Sequence, residues 1–163
     1  MLILTLTSCE GFKHIRVYNL SNDSVLIYTS QPSSGFPQDF LDTHPEFDLR
    51  PSYTLTEKQR IVYFKNLFGT NNNISENSNK IEISMQPKTY IQIGGRITVF
   101  PGKVKPNDLY IDTLIINYKM NTIKADSRTR IINLAKDNRF QYKRKDKAFI
   151  EINDKRNLNI VIR

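Results

Sequence analysis

The sequence has little of several residue types, and each shortage excludes a class of site. Among its 163 residues none is Trp, two are His and one is Cys. A single Cys allows no internal disulfide, so the fold must be stabilised by packing. His14 and His44 are too few for a three-His metal site, and one Cys cannot complete a Cys/His zinc site with them. We therefore expect no metal and no cofactor.

Glycines and long apolar runs are also scarce. The six glycines occur in no phosphate-binding loop, dinucleotide fingerprint or nucleophile elbow. Gly94-Gly95 is more typical of a hairpin turn than of a phosphate cradle. No run of about 18 apolar residues is present, so we expect no transmembrane helix.

The residues that are abundant favour strands. Ala is confined to three positions, whereas Ile, Thr, Tyr and Phe recur throughout and favour β-structure. An AT-rich genome produces the same compositional bias, so the fold class has to be predicted from local sequence patterns rather than from composition. We predict a mainly β, antiparallel, sandwich-like (Ig-like) domain with one short helix at 127–137, capped by Ser127. The expected strands are 14–20, 25–29, 53–56, 60–64, 80–85, 90–93, 97–100, 109–120, 140–143, 148–152 and 158–162.

Turn signals between these strands predict how they pair. Residues 21–24 are expected to close a hairpin between the first two strands, and the final two strands are expected to form another. A three-residue turn over 94–96 would keep Ile91, Ile93, Ile97 and Val99 on one face. The apolar run 109–120 predicts a central strand buried on both faces. Residues 30–52 and 71–79 are expected to be loops.

The net charge of +8 is concentrated in the C-terminal third. Residues 1–100 are neutral overall, whereas residues 101–163 carry fifteen Lys/Arg and seven Asp/Glu. Such a patch attracts phosphate-rich polymers or anionic lipids. A solvated edge strand is the other interpretation, because edge lysines oppose aggregation. The anion-binding interpretation would use Arg139, Lys143, Arg144, Lys145 and Lys147.

The single Cys lies directly after a short apolar stretch. The order Leu6-Thr7-Ser8-Cys9 resembles the lipobox of bacterial lipoproteins, in which the preceding peptide is removed and the Cys carries lipid. This implies a signal remnant at 1–8, a lipidated Cys9 with a tether at 9–13, and one β-rich domain at 14–163. No Lys or Arg precedes Lys13 to form a basic n-region; a late start codon or a trimmed record would explain this. The alternative is a first strand at 2–6 with Cys9 buried.

The wider pattern resembles the small uncharacterised lipoproteins of Bacteroidetes-type bacteria. The matching stretches are the lipobox, Ile15–Ser24 with its following strand, Asp112–Ile123, and a helix before a terminal hairpin. The resemblance implies an envelope lipoprotein facing the periplasm or the cell surface, anchored in the membrane through Cys9. It implies no catalytic residues.

Three function classes follow from the sequence. We favour a non-enzymatic binding or interaction module with a protein or glycan partner. The second is a soluble nucleic-acid binder, in which Phe140 and Tyr142 would stack on bases. The third is a hydrolase with acids converging in a cleft. The acid-rich stretch of Asp39, Asp42, His44, Glu46 and Asp48 could supply oxygen ligands for Ca²⁺, but it lacks the EF-hand order, and a solvated loop is the simpler interpretation.

Overall fold

The computed structural model describes residues 11–33, 42–43, 56–69, 71–77, 80–98, 102–136 and 157–163. They contain two helices, α1 (Glu57–Phe68) and α2 (Arg128–Lys136), and a 3-10 turn at Pro106–Asp108. The eight strands are β1 (Gly11–Asn19), β2 (Val25–Ser30), β3 (Asn73–Asn77), β4 (Lys80–Met85), β5 (Thr89–Thr98), β6 (Leu114–Tyr118), β7 (Asn121–Ala125) and β8 (Asn157–Ile162).

The strands form two sheets. A five-stranded sheet has the order β3-β4-β2-β6-β7 and is antiparallel throughout. A three-stranded sheet has the order β5-β1-β8, in which β1 is antiparallel to β5 and parallel to β8. The mainly β, sandwich-like class is confirmed; the Ig-like connectivity stays a prediction.

One hydrophobic core lies between the buried faces of the two sheets. Along β2 and β4 every second side chain is buried, as expected for strands with one face on a core. The helices add Phe64 and Phe68 from α1 and Ile131, Ile132 and Ala135 from α2. The sheets contribute Ile15, Val17, Val25, Ile27, Ile81, Ile83, Met85, Ile91, Ile93, Leu114, Ile116, Leu158 and Ile160 among others.

Both ends of the buried face of β1 are polar. At one end the Lys13 ammonium donates to Asp108 Oδ2 at 3.2 Å and to the Lys103 carbonyl oxygen at 3.0 Å. The same carboxylate oxygen accepts a hydrogen bond from the Lys105 backbone N–H at 2.7 Å. Both charged side chains are nearly excluded from water, so each depends on the other for its charge to be tolerated.

At the other end of β1, the fully buried Asn19 uses both ends of its amide. Its Nδ2 donates to the carbonyl oxygens of Asp23, Met85 and Gln86 at 2.8–3.2 Å. Its Oδ1 accepts from the N–H and hydroxyl of Ser21. This one side chain therefore joins β1, the segment after it and the end of β4.

The predicted hairpin between the first two strands is wrong. β1 and β2 belong to different sheets, and residues 20–24 carry the chain from one sheet to the other. Residues 21–24 do turn the chain, but the Ser21 N–H and hydroxyl donate to Asn19 Oδ1 rather than across a two-stranded ladder. Gly11–Lys13, which we assigned to a tether, are the first residues of β1.

The predicted hairpin at Gly94-Gly95 is also wrong, because β5 runs continuously through both residues. The strand contains a register shift opposite Ile15/Arg16, and Gly94 forms a bridge with Leu109. A Cβ on Gly94 would lie 2.6 Å from both the Asp108 carbonyl oxygen and Ile15 Cδ1. The glycine is required for close approach of another backbone segment.

Gly94→Ala should therefore lower the free energy of unfolding by about 1–3 kcal/mol, the usual range for overpacking. Gly102→Ala is the matched control, because its Cβ would meet only Lys13 Nζ at 3.9 Å. Urea unfolding followed by circular dichroism measures both. Equal midpoints for the two variants would contradict this account of β5.

The strand predicted at 60–64 is wrong, because these residues lie in α1. Thr56 and Gln59 form a capping box: the Gln59 N–H donates to Thr56 Oγ1 and the Thr56 N–H donates to Gln59 Oε1. The helix then ends at Gly69, whose φ is +98°. Ile61, Phe64 and Phe68 recur at helical spacing, whereas the short run 60–64 taken alone also fits a strand; the capping residues decide between the two.

Two further predictions need correction. The run 109–120 is not one strand buried on both faces, because β6 covers only Leu114–Tyr118 and alternates buried with half-buried side chains. Residues 73–77 are not a loop but form β3, whose Ile74 packs into the core. In both cases cross-strand pairing overrides the local composition.

The loop predicted over 30–52 is wrong at Ser30, which ends β2, and at residues 42–43, which are helical. The remaining predictions are confirmed or lie outside the described residues. The strands at 80–85 and 158–162 and the helix after Ser127 are confirmed, with Ser127 Oγ accepting the Arg130 N–H at 3.3 Å. β8 pairs with β1 in parallel. The strands predicted at 140–143 and 148–152 lie outside the described residues, as do residues 53–55. The predicted terminal hairpin includes the strand at 148–152, so it lies outside them too.

Candidate functional site

A cleft of about 590 Å³ lies between the end of α1 and the first half of β5. Its volume falls within the range of about 300–1,000 Å³ typical of small-molecule sites. Tyr90 and Gln92 belong to β5, where they alternate with the buried Ile91 and Ile93 and so lie on the opposite face of the sheet. The lining residues are Asn66, Leu67, Phe68, Gly69, Asn71, Asn72, Lys88, Thr89, Tyr90, Gln92 and Tyr110.

Tyr90 presents an exposed aromatic ring in this cleft. The residue is 46% exposed, which is unusual here for a large apolar side chain. Its ring centroid lies 5.3 Å from that of Tyr18 and 5.0 Å from the Arg16 guanidinium carbon. Because neighbours on β1 hold the ring through aromatic and cation–π contacts, little side-chain freedom remains to be lost when a ligand packs against it.

Gln92 and Tyr110 form a polar pair beside Tyr90. Gln92 Nε2 donates to the Tyr110 hydroxyl at 3.4 Å. A Cβ on Gly95 would lie 2.8 Å from that Nε2 and 3.1 Å from the hydroxyl oxygen. The absence of a side chain at Gly95 therefore gives the pair its space. Tyr110 is held in turn by its backbone N–H, which donates to the Ile93 carbonyl oxygen at 2.9 Å.

Asn72 fixes the wall of the cleft that comes from α1. Its Nδ2 donates to the Phe68 carbonyl oxygen at 3.2 Å, which satisfies one of the orphan carbonyls at the helix end. Its Oδ1 accepts from the Gln86 N–H and the Thr89 hydroxyl, each at 3.2 Å. Because Asn72 is 3% exposed, its side chain positions the wall of the cleft, and contacts with a ligand would be made by the neighbouring residues.

The lining is almost uncharged. Among the described residues of the lining none is Asp, Glu, His or Cys, and Lys88 is the one charged residue. The Lys88 ammonium donates to the Leu20 carbonyl oxygen at 2.5 Å. Amides, hydroxyls and aromatic rings of this kind can orient a neutral polar ligand through hydrogen bonds and ring contacts.

Burial raises the pKa of the Tyr110 phenol above its ordinary value of 10.0, and the hydrogen bond from Gln92 offsets part of this shift. Because the protonated phenol is favoured in the folded state, its stabilising effect is complete below pH ~10 and is lost as pH rises through the folded pKa. We expect the difference absorbance titration at 295 nm between wild type and Tyr110→Phe to show one tyrosine ionising above pH ~10. An ordinary titration in that difference would contradict the burial of Tyr110.

Most of the site residues predicted from sequence lie outside the described residues. Cys9 and the five basic residues of the 139–147 patch are outside the described residues. Of the acid-rich stretch, Asp42 is described and exposed, while Asp39, His44, Glu46 and Asp48 are outside. His14 is half-buried on β1, with its Nδ1 3.5 Å from an Arg16 nitrogen.

Two other polar clusters have structural partners. Glu76 accepts hydrogen bonds from Arg60 Nε and Gln31 Nε2, both at 2.8 Å. Asp112 accepts from Arg128 Nε at 2.6 Å, which ties α2 to the segment before β6. Within the described ranges no three His, Cys, Asp or Glu residues are grouped so as to hold a metal ion.

A scan of protein-family models, a search of curated proteins and a search of solved structures found no match to this chain. In the part of the chain that the structure describes, neither helix is both long enough and apolar enough to cross a membrane. The cleft is therefore interpreted from its own geometry and chemistry.

Proposed function

We propose that the protein is a non-catalytic binding module whose ligand occupies the cleft formed by α1, β5 and Tyr110, and that it is anchored at the bacterial envelope through lipid on Cys9. One observation supports the binding function above all others: the cleft lining combines an exposed tyrosine with amides and hydroxyls, and its described residues include no Asp, Glu, His or Cys. Such a lining retains a ligand without converting it.

Gly69, Asn71 and Asn72, which follow α1, border the cleft. We expect the ligand to be recognised through hydrogen bonds and ring contacts rather than through phosphate charge, because the described lining has one lysine and its ammonium is bonded to the Leu20 carbonyl oxygen.

The envelope anchor rests on the sequence Leu6-Thr7-Ser8-Cys9. Several acyl chains on one Cys give stable attachment to a bilayer, whereas a single chain gives reversible binding. β1 begins at Gly11, two residues after Cys9, so the domain is expected to sit close to the membrane surface.

An NMR fragment screen on the full chain tests the binding function. Neutral polar fragments should shift the amide resonances of Tyr90, Gln92 and Tyr110, and chromatography should recover the fragments unchanged. Shifts clustered on the outer face of the five-stranded sheet around Tyr28, or conversion of a fragment into product, would overturn the proposal.

Intact-mass analysis of protein extracted from the native membrane tests the anchor. We expect a chain that begins at Cys9 and carries acyl groups. Recovery of an unacylated chain that retains residues 1–8 would refute the anchor while leaving the binding function to its own test.

A further inference from the structure

We infer that the ligand of the cleft is a neutral carbohydrate, an oligosaccharide whose sugar ring packs on Tyr90; this inference rests on the proposed binding function. Three properties of the cleft lead to this class of ligand. It has an exposed aromatic ring that is held by contacts with β1, polar groups beside the ring that can still form hydrogen bonds, and very low charge.

The ring matches the apolar part of a sugar. A pyranose has hydroxyls at its edge and C–H groups on its faces, and those faces pack on aromatic rings. Tyr90 is the lining aromatic with substantial exposure, and Tyr18 and Arg16 hold it in place from β1. A rigid ring of this kind contributes contact area at a low cost in side-chain entropy.

The hydrogen-bonding groups match the edge of a sugar. The Tyr110 hydroxyl accepts from Gln92, and in the described part of the chain its hydrogen and Gln92 Oε1 have no partner of their own. Asn66 and Asn71 add exposed side-chain amides to the lining. Hydroxyl groups both donate and accept, so amides and a phenol that also do both can pair with them in either direction.

The low charge argues against other ligands. A phosphorylated or acidic ligand needs cations, and among the described lining residues Lys88 is the single cation. A wholly apolar ligand would pack on Leu67 and Tyr90 but would leave the amides and hydroxyls of the lining without hydrogen-bond partners. A sugar without ionisable groups leaves no uncompensated charge in the cleft.

Isothermal titration calorimetry tests the inference with the full chain and three probes: cellohexaose, maltohexaose and chitohexaose. At least one should bind. Tyr90→Ala should weaken its binding by about tenfold or more, whereas Tyr90→Phe, which keeps the ring, should stay within about threefold. Tyr110→Phe, which removes one hydroxyl, should weaken binding by about threefold to tenfold.

Tyr28→Ala is the matched control, because Tyr28 is an aromatic residue on β2 in the other sheet, outside the cleft. It should bind like wild type. Circular dichroism and unfolding midpoints establish that each variant is folded. Since Tyr90 is 46% exposed, Tyr90→Ala should lower the midpoint only slightly, through loss of the contacts with Tyr18 and Arg16.

Several results would overturn the carbohydrate inference: no heat with any of the three oligosaccharides, unchanged affinity in Tyr90→Ala, or preferential binding of polygalacturonate or of a mixed peptide pool. Each leaves the proposed function standing if neutral fragments still shift the resonances of Tyr90 and Gln92. Conversely, fragments that avoid the cleft overturn the proposed function itself.

Discussion

Lys13→Met is expected to lower the free energy of unfolding by about 3–5 kcal/mol. The substitution leaves the Asp108 carboxylate buried without its cation, and the cost of an uncompensated buried charge is in this range. Asp108 is 2% exposed, so water cannot take the place of the ammonium. Guanidinium unfolding at neutral pH, followed by fluorescence or circular dichroism, measures the loss.

The double variant Lys13→Met/Asp108→Leu should recover much of this stability, because it removes both charges and leaves an apolar contact. The matched control is Lys119→Met. Lys119 lies 3.9 Å from Asp23, and both side chains are more than 60% exposed, so its loss should cost about 1 kcal/mol or less. Equal losses for Lys13→Met and Lys119→Met would contradict the burial of the Lys13–Asp108 pair.

Asn19→Ala has the second large expected effect, a loss of about 3 kcal/mol. The substitution removes the donor shared by the carbonyl oxygens of Asp23, Met85 and Gln86 and the acceptor used by Ser21. Each buried group left unsatisfied costs about 1–3 kcal/mol, and partial entry of water reduces the sum. Thermal or denaturant unfolding gives the value directly.

Asn117→Ala serves as its control on the five-stranded sheet. Asn117 is half-buried and its side chain accepts one hydrogen bond, from the Thr122 hydroxyl at 2.9 Å. The control should change stability by about 1 kcal/mol or less. If Asn117→Ala is as damaging as Asn19→Ala, the network around Asn19 does not tie the two sheets together.

The sequence predicted correctly those elements whose signal lies in a few consecutive residues. The alternation in 80–85 and the cap at Ser127 are visible in a few consecutive residues, and both elements are confirmed. The capping box of α1 was visible in the same way, as Thr56 followed by Gln59. The capping box alone did not fix the element as a helix, because the apolar residues of 60–64 also fit a short strand.

The wrong predictions have one physical cause: the local sequence is compatible with more than one structure, and tertiary contacts determine which of them forms. Gly94-Gly95 satisfies the chemistry of a turn, but here it permits the backbone of residues 108–109 to cross β5. Residues 20–24 satisfy a turn too, and the amide of Asn19 directs them to the other sheet. No pattern confined to neighbouring residues contains that information.

The cleft could be predicted only in part. The alternation of Tyr90 and Gln92 with Ile91 and Ile93 indicates a strand with a polar face, which the sequence shows. Tyr110 is eighteen residues beyond Gln92, and α1 was predicted as a strand, so neither wall could be placed. The exposure of Tyr90 depends on β1, more than seventy residues earlier.

The parallel ladder between β1 and β8 joins residues 14–19 to residues 157–162. Pairing over such a separation forms late and slowly, because the entropy cost of closing a large loop comes before any stabilising hydrogen bond can form. During synthesis the three-stranded sheet lacks one of its strands until residue 162 has left the ribosome. Until then β1 has only β5 as a partner in this sheet, so the edge that β8 later covers offers unpaired backbone hydrogen-bonding groups.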